Sequence, residues 1–87
     1  MQYLDEKIKE FGGLFKDRLD NDLLQDAIYY VDCNERGLAF ETICDQISEY
    51  EVPITKEEYD IAISICNELK MDVNDISIKH MSDLITD

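Results

Sequence analysis

Apolar residues return every three or four positions in four separate segments of this chain, and no segment alternates apolar with polar long enough to make a strand. A period near 3.6 puts those residues on one face of a helix, whereas a half-buried strand needs a period of two. Helices packed on helices are then the architecture open to 87 residues. Leu4, Ile8, Phe11 and Phe15 form the first stripe, surrounded by Lys7, Lys9, Glu10 and Lys16. Gly12-Gly13 interrupts it, and since each glycine costs a helix interior about 1 kcal/mol against alanine, the pair should kink the helix or end it early.

Asp20-Asn21-Asp22 offers an N-cap and first-turn acids to a second helix, whose apolar arc is Leu23, Leu24, Ala27, Ile28 and Val31. Cys33-Asn34-Glu35-Arg36 reads as a short turn. Gly37 then leads into a third helix with the core stripe Phe40, Ile43, Cys44 and Ile47. Pro53 should stop that helix, because it disfavours helical geometry at Val52 and lacks the N–H the ladder needs. Thr55-Lys56-Glu57-Glu58 is a capping box. It opens a fourth helix in which Tyr59, Ile61, Ala62, Ile63, Ile65, Cys66 and Leu69 cover a wide arc, the pattern of a helix packed by two neighbours. Asn74-Asp75 could cap a fifth helix through His80, Met81, Leu84 and Ile85, and Tyr50 to Ile54 is the one short strand candidate. The predicted fold is all-α, a compact bundle of four to five short helices in a single domain over residues 1–87.

A chain of this size can bury about 60 to 70% of the surface it exposes unfolded, enough for one core without metal or disulfide staples. Hydrophobic residues make up 45% of it, with one proline and three glycines, which argues against disorder despite a net charge of -13. The charge is uneven. Residues 1–18 carry four acids and four bases, whereas residues 19–60 hold twelve acids against Arg36 and Lys56. Such a surface attracts a basic partner and repels nucleic acid and anionic membranes, although it could equally serve solubility alone.

Cys33, Cys44 and Cys66 are an odd set outside any CxxC or zinc spacing, so reduced thiols are expected, with Cys44 and Cys66 in the core. Gln2-Tyr3-Leu4-Asp5-Glu6 after Met1 has neither the basic nor the apolar region of a signal peptide, and no run reaches the length of a membrane span. A cytoplasmic location is the expectation.

Catalysis is hard to build from these residues. His80 is the sole histidine and is expected at the surface or rim; no G-x-S-x-G, P-loop or H-E-x-x-H occurs. Asp72-Val73-Asn74-Asp75 lacks the glycine and distal glutamate of a calcium loop, and Ser82-Asp83-Leu84 has the wrong residue order for a phosphopantetheine site. Neither an enzyme nor a cofactor or metal is expected, and function should lie in binding another protein.

The candidate partner-binding residues cluster on helices two and three. Glu41, Asp45 and Glu49 repeat every four residues opposite the core stripe. Like charges at that spacing cost an isolated helix about 0.2–0.5 kcal/mol per pair, so the row is either a solvated face or one that meets something cationic. Leu38 projects on the same side, as a partner anchor or packed against the preceding turn. Tyr29 falls on the polar side of helix two near Asp22 and Asp26, and a tyrosine beside acids suits an arginine-rich surface. Asp26 and Glu35 complete the candidate set.

The stretch Asn34-Glu35-Arg36-Gly37-Leu38-Ala39-Phe40-Glu41-Thr42-Ile43-Cys44-Asp45-Gln46-Ile47, followed by Glu49-Tyr50-Glu51 and Ile54-Thr55-Lys56-Glu57-Glu58-Tyr59, resembles the MafI-type immunity proteins. The likeness centres on residues 34–59 and extends loosely outward, including Phe15-Lys16-Asp17-Arg18-Leu19. Those proteins are small acidic antidotes encoded beside polymorphic toxins of the Maf and contact-dependent growth inhibition systems. The resemblance implies an all-helical fold and tight binding to a cognate toxin domain in a bacterial cell, and a monomer is favoured for the free chain. That domain is often a nuclease such as the EndoU type. It implies no fixed list of contact residues, and an acidic helical regulatory module unrelated to toxins is the alternative.

Overall fold

A computed structural model describes residues 2–86, with side chains from Tyr3 onward. Among them the chain is all-α, with five α-helices: α1 Gln2–Gly13, α2 Asn21–Asp32, α3 Arg36–Glu49, α4 Lys56–Glu68 and α5 Ile76–Met81. A 3₁₀ turn, Ser82–Leu84, follows α5. The chain divides into two compact units within α3, one ending at Ile43 and the other beginning at Cys44.

The first unit buries the predicted stripe of α1 together with Leu24, Ala27 and Val31 of α2 and Ala39, Phe40 and Ile43 of α3. Asp20 caps α2 by accepting the backbone N–H groups of Asp22 and Leu23. The glycine pair ends α1 as expected, but Gly12 also has a packing reason. A Cβ there would stand 3.2 Å from Ile43 Cδ1 and 3.3 Å from Leu24 Cδ1. The missing side chain therefore lets α1 approach its neighbours closely. Phe15 lies beyond the helix end yet is fully buried, its ring edge-on to Phe11 at 5.2 Å and covered by the Arg18 guanidinium at 4.5 Å.

The second unit buries Cys44, Ile47, Val52, Ile54, Ala62, Ile65, Cys66, Ile78 and Met81. The capping box of α4 is complete: Thr55 Oγ1 accepts the Glu58 N–H at 3.0 Å and Glu58 Oε1 accepts the Thr55 N–H at 2.9 Å. The apolar arc of α4 is narrower than its sequence suggests. Only Ala62, Ile65 and Cys66 are fully buried, while Tyr59, Ile61, Ile63 and Leu69 are half-buried. The fifth helix is shorter than expected, because after Met81 the backbone tightens to 3₁₀ and then extends at Ile85. Leu84 and Ile85 therefore fall outside the helix in which the sequence would place them. The strand candidate reduces to one parallel bridge, with the Ile54 N–H donating to Leu84 O at 3.0 Å and the Thr86 N–H to Ile54 O at 2.9 Å.

Three helices end the same way, with a left-handed residue that is not glycine: Asn34 after α2, Glu51 after α3 and Lys70 after α4. In each case the next N–H closes a Schellman bond, Glu35 to Tyr30 O, Val52 to Ile47 O and Met71 to Cys66 O. This closure ends α3 at Glu49, ahead of Pro53. A side chain in left-handed geometry costs about 1–2 kcal/mol, and the added freedom of glycine in the unfolded chain offsets about 0.4–1 of that. Lys70→Gly should therefore raise stability by about 0.5–1 kcal/mol, measurable as a higher urea midpoint with unchanged slope.

Candidate partner-binding surface

In the first unit Asp26 and Tyr29 lie three residues apart on α2, both exposed because the buried side of that helix is Leu24, Ala27 and Val31. Tyr29 is 63% exposed, and a hydrogen bond with the Cys33 side chain raises its hydroxyl above the usual tyrosine range. Glu35 stands at the start of α3, its carbonyl accepting the Ala39 N–H at 2.9 Å. Leu38 keeps 45% of its surface in solvent, and Glu41 follows it on the exposed side of the helix. Burial of Ala39, Phe40 and Ile43 turns these two outward.

The one base in this stretch does not offset those acids. Arg36 Nε donates to Asp5 Oδ1 at 2.7 Å, and the same hydrogen bond holds the Asp5 carboxyl below its ordinary range. Lys9 likewise takes Asp32 at 2.7 Å. Asp26, Glu35 and Glu41 have no cationic partner among the described residues. The depressed Asp5 pKa sets a sign for pH dependence: its contribution is present above the unfolded carboxyl value near 3.9 and is lost as pH falls through the lower folded value. Arg36→Ala should accordingly lower the melting temperature at pH 7, with the gap to the parent narrowing below about pH 4.

In the second unit Asp45 and Glu49 are both exposed, but they are not equivalent. Asp45 accepts the hydroxyl of Ser77, which ties α3 to the start of α5. Its spacing on α3 marks Asp45 only as a contact candidate, because the Ser77 it holds is 32 positions away and no local signal points to it. Glu49 occupies the last turn of α3, where the helix dipole disfavours a negative charge, and none of α1 to α4 carries a base in its last turn.

His80 is half-buried, with Nδ1 at 2.7 Å from Ser48 Oγ and Nε2 at 3.8 Å from Glu51 Oε2. Serine, histidine and glutamate are the residue types of a hydrolase triad, but the backbone N–H groups that follow Ser48 are already bonded in the closure of α3, Tyr50 to Gln46 O, Glu51 to Ser48 O and Val52 to Ile47 O, and are not free to hold an oxyanion. The arrangement therefore reads as a strut between α3 and α5. Cys44 and Cys66 are buried and Cys33 exposed; burial raises the Cys66 thiol, whose Sγ–H donates to Met71 O at 3.4 Å. A thiol reagent on native protein should modify Cys33 quickly and the other two only on the timescale of unfolding, as peptide mapping would reveal.

Among the described residues no group of three or more histidine, cysteine, aspartate or glutamate side chains is placed to hold a metal ion, and no helix is long and apolar enough to cross a membrane. Compared with known proteins, the chain matches no family model, no curated protein and no solved structure.

Proposed function

We propose that this chain is an immunity protein: it binds a cognate polymorphic toxin domain in the bacterial cytoplasm and neutralises it by occluding a basic active site or substrate surface. The observation that carries the reading is the pairing of exposed apolar side chains with acids that have no cationic partner among the described residues, Tyr29 with Asp26 on α2 and Leu38 with Glu41 on α3. A nuclease must hold phosphate and is therefore basic, so an acidic surface with apolar anchors is complementary to its substrate face. The resemblance of residues 34–59 to MafI-type proteins supports the same reading, with an EndoU-type ribonuclease as one class of target. Glu49 in the last turn of α3 adds to it, since the helix dipole there disfavours its charge and a cation on a partner would offset that cost.

The test is a titration of the purified toxin domain encoded beside this gene. Neutralisation by occlusion predicts that its activity falls linearly to zero at one equivalent and that a 1:1 complex elutes from a sizing column. Suppression at far below one equivalent would mean that the chain modifies or destroys its target. Absence of any complex, or of a neighbouring toxin gene, would favour the alternative of an acidic regulatory module.

A further inference from the structure

We infer that the turn from Val73 to Ile76, at the start of α5, is an apolar knuckle that inserts into a hydrophobic pocket rimmed by lysine or arginine on a protein partner. The inference rests on the proposed binding of a basic toxin domain and adds a contact in the second unit that the acidic row does not contain. Ile76 is 86% exposed, the largest exposure of any large hydrophobic side chain described, and Val73 is exposed close by in the chain. Isoleucine is a poor choice for an exposed first helical position, where a β-branched side chain loses rotamer freedom and gains no burial. Folding does not call for it there.

Its surroundings specify the chemistry of the occupant. Asp72 and Asp75, both exposed, flank Val73 and Ile76, and Asp45 reaches the neighbouring Ser77 hydroxyl. From Cys44 onward the chain has eleven acids against three lysines. A second copy of this chain would bring like charge against like, and an anionic membrane would be repelled for the same reason, so the complementary surface is a cationic protein. The knuckle is also held in one shape. Asp72 Oδ1 accepts the Asn74 N–H at 2.9 Å, Asp72 O accepts the Asp75 N–H at 3.1 Å, and Asp75 Oδ1 accepts the Ser77 N–H at 3.1 Å. An anchor already fixed in its bound shape loses less freedom on docking.

Ile76→Ala and Ile76→Glu test this with the purified neighbouring toxin domain as the probe, alongside Glu41→Lys as a variant outside the knuckle. Both Ile76 variants should keep the parent melting temperature, since the side chain packs against almost nothing. Both should weaken toxin binding by roughly 30-fold or more, mainly through faster dissociation. Parent-like affinity in both Ile76 variants, with Glu41→Lys weakened, would overturn the knuckle while leaving the immunity reading intact. Loss of binding accompanied by a lowered melting temperature would also overturn it, by returning Ile76 to a structural role. A parent protein that does not bind the toxin domain would remove the immunity reading and the knuckle together.

Discussion

Replacing Phe40 by alanine should cost about 3–5 kcal/mol, among the largest losses expected from a single substitution in the first unit. Phe40 is completely buried, and its ring lies 5.7 Å from that of Phe11, which in turn meets Phe15 edge-on. Truncation removes the transfer energy of an aromatic side chain, leaves a cavity that helices on both sides cannot fill, and deletes an aromatic pair worth about 0.5–1.5 kcal/mol beyond its area. A protein of this length has a total stability of about 4–13 kcal/mol at the typical value per residue, so the variant should lie at or near the edge of folding. Urea unfolding of Phe40→Ala and the milder Phe40→Leu provides the check. A loss under about 1 kcal/mol in the alanine variant would mean that the aromatic cluster does not organise this unit.

Reversing two acids, Glu41→Lys with Glu49→Lys, should move stability and binding in opposite directions. Both side chains are exposed and have no cationic partner among the described residues, and Glu49 faces an unfavourable dipole in the last turn of α3. Lysine there removes like-charge repulsion along the helix and suits the helix end, so the melting temperature should hold or rise. Association with the proposed basic toxin domain should slow by roughly tenfold or more at low salt, with the difference shrinking as the Debye length falls from about 10 Å at 0.1 M toward about 3 Å at 1 M. Asp45 is left out because its carboxylate holds Ser77, and its reversal would mix a structural loss into the result. If the double variant binds at the parent rate at all salt concentrations, α3 does not meet a cationic surface, and the row is a solvated face.

The caps were legible in advance because both partners of each lie within four residues. Asp20, the Thr55–Glu58 box and Asp75 stand where their residue types and the following apolar pattern place them. Core membership was legible for Leu4, Ile8, Phe11, Phe40, Ile43, Cys44, Ile47, Ala62, Ile65 and Cys66, since helical period alone assigns a face. Phe15 was correctly placed in the core on a helical stripe, but it gets there through a turn after α1 has ended. Helix ends were less legible. Asn34, Glu51 and Lys70 take left-handed geometry that glycine usually marks, while the three glycines of the chain lie inside helices.

Within the candidate surface, spacing was enough to find the outward acids and to put Tyr29 and Leu38 beside them. It could not sort those acids. Arg36 engages Asp5 across 31 positions, Ser77 engages Asp45 across 32, and Gly12 makes room for Leu24 and Ile43. Nothing in the sequence marks Ile76 as exposed, because an isoleucine beside a helix cap is equally compatible with a core position. Local sequence determined helix type, caps and buried faces, because those depend on dihedral preference and on a period set by one helix. Which charges are neutralised, which glycine is a contact and which isoleucine stands in solvent were decided only by tertiary structure, because each depends on what a distant segment brings within a few ångströms.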